Sequence, residues 1–482
     1  MYLTVIDLPY VYELQILTGL FFPGCLLDTG NEIPADADRL ILRREEGAVC
    51  ALLSRDGEEY TTRWELDAGH TEKEACRQCC VALYRFLSPI CGISPPWGVL
   101  TGVRPIRLVH DQLNAGMTPQ QAAKLLGEEY LVSEQKLRLS LSTAVTQLPL
   151  LARSGRDSFS LYVSIPFCPS RCRYCSFVSH SIDKAKKLIE PYLERLHREI
   201  SLIGEISAQL GLRLQTVYIG GGTPTTLTAP QLSSLCRHIA EVFDPFSPEE
   251  FTVEAGRPDT ITPEKLSALR EAGVTRISIN PQTMNPAVLE AIGRRHSVDQ
   301  TREAFRMAEQ FDFPCVNADL IAGLPGDTPE SFRASLEEVL SFHPENITVH
   351  TLSIKRASDF SGAEVIPGAA GKMLDFTQEA LSAAGYLPYY LYRQKNTVEN
   401  MENTGYSLPG YEGLYNLYMM DETHTVLSAG AGAVTMLRQP GGSRIERIFN
   451  YKFPYEYNSD FDEILRRKEQ IREFYRRFPV SQ

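Results

Sequence analysis

From Ser158 onward the chain repeats one pattern: a short strand-like run, a loop and an amphipathic helical stretch. Candidate strands are 160–166, 216–219, 250–255, 276–280, 315–321 and 346–352. Helical stretches at 184–208, 263–272, 298–311 and 328–342 lie between them. Parallel neighbours need long crossovers, usually helical. Six β–α units in series therefore predict an α/β fold whose parallel sheet is curled into a partial or full barrel. In such folds the chemistry sits at the C-terminal ends of the strands.

The flanks read differently. Runs at 39–44, 48–54 and 59–65 are separated by Glu45-Glu46-Gly47 and Arg55-Asp56-Gly57, which is turn chemistry, so they predict a small meander. Thr71 and Glu74 form a capping box that starts a helix. Further helices are expected from Thr118-Pro119 and Ser133. The polar stretch Arg153–Asp157 marks a boundary. The predicted domains are 1–152 (α+β, role unknown), 153–392 (the β/α core) and 393–482 (a small C-terminal domain). The last of these contains the Gly-rich run Ser428–Ala433 and an amphipathic helix over 461–478. Ile464, Leu465, Ile471, Tyr475 and Phe478 form that helix's apolar face. Arg466, Arg467, Lys468, Arg472, Arg476 and Arg477 are expected on a solvated basic face, with an anionic ligand or RNA as the alternative.

With 482 residues the chain can hold two or three domains. Its net charge of −12 argues against a generic nucleic-acid coat protein, so no nucleic acid is expected as partner. No stretch of about 18 apolar residues appears, so no membrane span is expected. The first 22 residues lack an early cation and do not read as a signal peptide. A cytoplasmic monomer is the resulting expectation. The 11 cysteines, an odd number without an export signal, read as metal ligands or buried thiols, not as disulfides.

The strongest motif is Ile165-Pro-Phe-Cys168-Pro-Ser-Arg-Cys172-Arg-Tyr-Cys175, a C-x3-C-x2-C loop leaving the first candidate strand. Three thiolates this close can hold three corners of a 4Fe–4S cube and leave the fourth iron open to a small ligand. A zinc site is the alternative, but no second C-x2-C pair follows at a suitable distance. The aromatic before the last cysteine completes a resemblance to the radical S-adenosylmethionine (SAM) superfamily. That resemblance implies a partial (β/α)6 barrel and a 4Fe–4S cluster held by Cys168, Cys172 and Cys175, with exchangeable SAM on the open iron. It also implies a 5′-deoxyadenosyl radical formed when the cluster is reduced.

Other segments narrow the resemblance, over about 160–457, to the oxygen-independent coproporphyrinogen III oxidase (coproporphyrinogen dehydrogenase) group and its haem-chaperone relatives. Tyr162-Val-Ser-Ile-Pro-Phe-Cys168 matches that group's first-strand signature, and Gly220-Gly-Gly-Thr-Pro224 its glycine motif. The resemblance implies SAM contacts at Tyr162, Tyr174, Gly221, Gly222, Thr223, Glu254, Gln282, Arg294 and Asp319. Glu254 suits the two ribose hydroxyls of SAM. Gln282, Arg294 and Asp319 serve a second SAM in the oxidase.

Two functions stay open. One is an enzyme that oxidatively decarboxylates two propionates of coproporphyrinogen III to vinyls, giving protoporphyrinogen IX, with a donor such as flavodoxin or ferredoxin supplying electrons. The other is a haem chaperone on the same scaffold. Phe177 stands where the oxidases carry a further cysteine. Tyr415-Asn-Leu-Tyr-Met-Met420 stands where the chaperones carry His-Asn-x-x-Tyr-Trp, whose His ligates haem. A third possibility is radical-driven haem breakdown or methyl transfer. The extra N-terminal residues fit a longer subgroup labelled coproporphyrinogen dehydrogenase, which favours the enzyme. Cys76, Cys79 and Cys80 share a helix face with Leu83 and Leu87 and read as buried thiols. Cys25, Cys50, Cys91, Cys236 and Cys315 read as core. His296 beside Arg294 and Arg295 suits either an anion or a structural role, and His350 is ambiguous. The run Gly430–Ala433 resembles a family segment on the cofactor side, or packs its backbone closely against a strand.

Overall fold

The computed structural model describes residues 1–480 except 31–32, 35–36, 67–68, 70, 103, 176–179, 355–364 and 395. It forms two compact units, Met1–Leu141 with Glu399–Met401, and Ser142–Val398 with Glu402–Gln482.

In the first unit, the strands Arg39–Glu45, Ala48–Arg55 and Glu58–Glu65 form the expected antiparallel meander. The first residues contribute more than the sequence suggested. Tyr2–Ile6 is a strand that pairs in parallel with Arg39–Glu45. The helix Val11–Phe21 then buries Leu14 and Leu17 in the same core as Leu40, Leu42 and Leu53. The helix Glu72–Cys91 starts at the predicted Thr71–Glu74 capping box and adds Leu83 and Leu87 to this core. Cys79 and Cys80 are buried on that helix, and burial pushes the Cys79 thiol up to about 11. Cys25, Cys50 and Cys91 are only half-buried, contrary to expectation, whereas Cys236 and Cys315 are core. All eleven cysteines are thiols.

The second unit is built on an 11-stranded sheet whose middle is six consecutive parallel strands. They run Ser158–Ile165, Arg213–Gly221, Glu250–Glu254, Arg276–Gln282, Cys315–Ala322 and Asn346–Thr351, in that spatial order. All six expected strands are present, and the order makes an open, partial (β/α)6 barrel. The crossover helices have orthodox starts: Thr228 and Thr328 cap helices with Pro in the first turn, and Ser297 caps a third. No helix among the described residues is long and apolar enough to cross a membrane.

Each parallel strand is buried on both faces but alternates in chemistry. Leu161, Val163, Val217, Ile219, Phe251, Val253, Ile277 and Ile279 make one face apolar. Residues at the intervening positions make the other face polar: Ser160, Thr216, Thr252, Ser278, Asn317 and Thr348 are all buried. Period-two alternation sends the two sets to opposite sides of the sheet. The polar set is satisfied across strands, as buried hydroxyls and amides must be. Thr216 Oγ1 donates to Ser160 Oγ at 2.7 Å, Asn317 Nδ2 to Ser278 Oγ at 2.6 Å, and Thr348 Oγ1 to Asn317 Oδ1 at 3.2 Å.

The strands after residue 393 continue this sheet. Glu402–Ser407 pairs antiparallel with the sixth barrel strand, and Thr425–Ala429 pairs parallel with the first. The terminal helix Phe461–Arg477 buries Phe461, Ile464, Ile471, Phe474 and Tyr475. Lys468 is not on a solvated basic face: it is fully buried against Glu199. Arg466 and Arg467 pair with Glu463, Arg472 with Glu205 and Glu469, and Arg477 with Glu446. These acids pair five of the six cations, and Arg476 is exposed.

Candidate functional site

The first barrel strand ends at Ile165, and the chain passes directly into the cysteine loop. Phe167–Cys168 forms a short parallel pair with His180–Ser181, which pins both ends of the loop. The glycine motif holds the loop from the neighbouring strand. Gly222 N donates to Ile165 O and Thr223 N to Phe167 O, both at 2.8 Å. A Cβ at Gly222 would lie 2.6 Å from Phe167 O, so only glycine permits this approach. Further along, Arg173 N donates to Ile292 O at 3.0 Å. Phe177 lies outside the described residues.

Cys168 and Cys172 each receive a hydrogen-bond donor. Thr223 Oγ1 donates to Cys168 Sγ at 3.5 Å. Arg257 Nη1 donates to Cys172 Sγ at 3.7 Å and to Ser170 O at 3.3 Å. Arg257 is only 3% exposed and is balanced by Asp259. Sequence reasoning passed over it. The available signal was its place in Thr-Val-Glu-Ala-Gly-Arg-Pro, three residues after a strand-end carboxylate. Among the described residues no three Cys, His, Asp or Glu side chains converge as ligands of a single metal ion. A cube asks for something different, since each thiolate binds its own iron and N–H or O–H groups tune the sulfurs. Three thiols on one pinned loop, with donors at Cys168 and Cys172, fit that requirement.

The other predicted site residues fall into two linked groups. Around the third strand end, Tyr218 OH donates to Glu254 Oε1 at 2.6 Å. A Cβ at Gly220 would lie 2.9 Å from the same oxygen. Asp319 stands nearby on the fifth strand, accepting from Asn317 Nδ2 at 2.7 Å and lying 3.7 Å from His350 Nε2. Tyr162 stacks with Tyr218 and Tyr415 at ring separations of 6.3 and 6.2 Å, and Tyr218 with Tyr415 at 4.4 Å. Gly221 takes the left-handed φ of +104°, and its Cα faces Ser164 Oγ and Tyr162 OH.

The second group centres on Arg294, which is buried. Its guanidinium reaches Tyr174 OH at 3.1 Å, Gly256 O at 3.1 Å and Asn280 O at 2.6 Å. Asn280 is tied through Ser278 and Asn317 to Asp319, so the two groups share one hydrogen-bonded face. Gln282 ends the fourth strand at φ +70°, is 6% exposed, and its Oε1 has no hydrogen-bond partner. That oxygen is therefore a buried acceptor with its hydrogen-bonding capacity unused. At Gly430, φ +97°, the backbone packs so closely that a Cβ would lie 2.6 Å from Ser164 O.

Burial pushes the Glu254 carboxyl up to about 7, and the Asp319 charge adds to this. The bonds from Tyr218 and Gly221 pull the other way, as does His350. A carboxyl whose pKa rises on folding holds its proton more tightly folded than unfolded. Its effect on stability is therefore neutral below about 4.5, falls as pH rises from there to about 7, and is fully unfavourable above. Glu254→Gln is accordingly expected to raise the melting temperature at about pH 8 and to leave it nearly unchanged at about pH 4.5. Thermal scans at both pH values check this, and an equal shift at both would remove the ionisation as its cause.

Comparison with known proteins places this geometry. The radical SAM superfamily matches over residues 162–339. The chain is 39% identical over 479 residues, 95% of both chains, to the oxygen-independent coproporphyrinogen-III oxidase-like protein HemZ of Bacillus subtilis. It is 32% identical to the heme chaperone HemW of the same organism, over 61% of this chain and 77% of that one. Among solved structures, coproporphyrinogen III oxidase (HemN) from Escherichia coli superposes with a TM-score of 0.52 at 25% identity, covering 67% of this chain and 73% of that one.

Proposed function

Because the chain belongs to the radical SAM superfamily, among its oxygen-independent coproporphyrinogen-III oxidase-like proteins, we propose that it decarboxylates a porphyrinogen oxidatively, converting coproporphyrinogen III to protoporphyrinogen IX. The superfamily's 4Fe–4S cluster and SAM would supply a 5′-deoxyadenosyl radical. Cys168, Cys172 and Cys175 would hold the cluster. Tyr162, Tyr174, Gly221, Gly222, Thr223, Glu254, Gln282, Arg294 and Asp319 would hold SAM. Each of two propionates would give a hydrogen atom from the carbon beside the ring to that radical, then lose carbon dioxide and pass one electron to an external one-electron acceptor, leaving a vinyl group.

The chain's part is placement and exclusion of water. Glu254 offers an acceptor to the ribose hydroxyls once deprotonated, so SAM affinity should fall as pH drops through about 7. Gln282 offers the unsatisfied carbonyl oxygen noted above. The segment from residue 393 onward, which extends the sheet at both ends, would cover the substrate. On iron-replete protein, Glu254→Ala should weaken SAM binding by about 1.5–3 kcal/mol per lost charged hydrogen bond. Equilibrium dialysis measures this, and unchanged affinity would remove Glu254 from the cofactor site.

The observation that favours enzyme over chaperone is the environment of Tyr415. It is 5% exposed and stacked on Tyr218, and burial raises its pKa well above that of a free phenol. A buried neutral phenol is a poor axial ligand at the place where the chaperone branch carries His. The chaperone reading keeps support from the HemW relatives, including that of Escherichia coli at 29% identity over 61% of this chain. Formation of 5′-deoxyadenosine by the anaerobic, reconstituted protein, with and without coproporphyrinogen III, tests the proposal. Stimulation by the substrate is expected, and indifference to it argues for the carrier.

A further inference from the structure

The polar inner face of the barrel carries one group that neither the cofactor nor the fold uses. Period-two alternation puts Asn317 and Asp319 on that face of the fifth strand, and Thr348 and His350 on that face of the sixth. The bond from Thr348 to Asn317 fixes this assignment. Towards their C-terminal ends the six parallel strands thus present Tyr162, Tyr218, Glu254, Asn280, Asp319 and His350 on one face. Each of the first five is a proposed cofactor contact or is hydrogen-bonded to one. His350 is neither, and its ring makes no hydrogen bond among the described residues.

The ring is nevertheless held near charge. Its Nε2 lies 3.7 Å from Asp319 Oδ2, an ion-pair separation too long for a hydrogen bond. The His350 side chain is 30% exposed against 16% for Asp319, so of the two it is the more open to an incoming ligand. Its charge extends to Glu254, where it favours the ionised carboxyl. Arg294, the cation joined to this face through Asn280, is already spent on Tyr174 and two backbone carbonyls. A tetracarboxylate entering here meets the acids Glu254 and Asp319, and like charges repel. A fixed positive charge beside those acids offsets the repulsion.

We propose that His350 binds a substrate carboxylate, pairing its protonated ring with a propionate of the porphyrinogen. This deepens the reading of the chain as a porphyrinogen decarboxylase and rests on it. A protonated imidazole has two N–H donors. Asp319 orients the ring from the Nε2 side, and the propionate accepts from the other nitrogen, a charge-assisted contact. No covalent bond changes. Glu254, the proposed ribose contact, is within reach of the same charge, so a propionate on His350 is held on the cofactor side of the barrel. The contact exists before any bond breaks, so it acts on substrate binding more than on the chemical step.

The test uses the full-length, iron-replete protein and two probes. One is coproporphyrin III, the oxidised and unreactive form of the substrate. The other is its tetramethyl ester in dilute detergent, which keeps the ring and removes the charges. SAM is left out, which excludes an indirect effect through Glu254. Quenching of porphyrin fluorescence reads both affinities. His350→Gln is expected to bind coproporphyrin III about tenfold or more weakly than the unaltered protein does, and the ester equally well. In turnover its KM for coproporphyrinogen III should rise by a similar factor, with kcat little changed. Where this variant loses iron, His350→Asn carries the same measurement with the same outcomes. Unchanged coproporphyrin affinity in the variant would overturn the proposal. An equal loss for acid and ester would overturn it too, since that marks a structural role. Both results leave the substrate reading standing, because the unaltered protein still binds the acid. Unaltered protein that binds neither probe, with or without SAM, brings down the substrate reading and this proposal together.

Discussion

Protein carrying Cys168→Ala, Cys172→Ala or Cys175→Ala, purified without oxygen, is expected to hold iron only at background level, against about four irons per chain in the unaltered protein. The loop containing these residues is pinned by the pairing of Phe167–Cys168 with His180–Ser181 and by the amides of Gly222 and Thr223. It should therefore keep its shape when one thiol is lost, and the loss of iron should come from the missing ligand alone. The same measurement on Cys76→Ala, Cys79→Ala or Cys80→Ala should show no change. Those thiols sit in the helix Glu72–Cys91, and no group of three candidate ligands forms there among the described residues. Iron loss in a helix variant would point to a second metal site.

The largest effect on stability is expected from Lys468→Ala. Lys468 and Glu199 are both fully buried, with Nζ 3.0 Å from Glu199 Oε1. Lys468 also donates to Ser428 O at 2.7 Å and to Asn450 Oδ1 at 3.1 Å. Glu199 accepts from Asn450 at 2.7 Å, Tyr457 OH at 2.6 Å and Gly430 N at 2.8 Å. Every partner in this network is placed, so removing one charge leaves the other buried and uncompensated. Such losses cost about 3–5 kcal/mol. Urea unfolding of Lys468→Ala should show a cost of that size, and Lys468→Met combined with Glu199→Gln should recover part of it. A cost under about 0.5 kcal/mol, typical of a surface change, would contradict the network. Through Gly430 the network also fixes the turn packed against Ser164, at the end of the strand that feeds the cysteine loop.

Why one lysine was misread shows what a sequence hides. Arg466-Arg467-Lys468 looks like one run of cations. Its third member nevertheless follows Ile464 by four residues and precedes Ile471 by three, so it lies on the apolar stripe. The spacing was visible, but the buried acid that receives it is 269 positions earlier in the chain and carries no local sign. The same holds for Arg257, whose value lies in reaching Cys172. The barrel was legible because each of its six strands is marked by an apolar run followed by a helix, and the helices after the second to fifth strands carry side-chain caps. The polar inner face was harder to see. Ser160, Thr216, Ser278 and Asn317 look like surface residues in sequence and become a buried face only when the strands align. The strand Tyr2–Ile6 escaped notice for a similar reason, since its parallel partner begins over thirty residues later. Of the cofactor-site candidates, Arg294 and Asp319 are joined through Asn280, Ser278 and Asn317 by a chain of hydrogen bonds that no motif spells out.

The measurement that bears most directly on the central claim is anaerobic turnover of the reconstituted protein with SAM, a reductant and coproporphyrinogen III. Carbon dioxide and SAM cleavage are followed together, and haem is titrated in parallel on the unaltered protein and on Tyr415→Phe. The account predicts that coproporphyrinogen raises SAM cleavage well above its substrate-free background, that carbon dioxide appears in proportion, and that Tyr415→Phe barely alters haem affinity. SAM cleavage indifferent to coproporphyrinogen, with one equivalent of haem bound tightly and lost in Tyr415→Phe, would contradict it and make the protein a haem carrier on a radical-enzyme barrel.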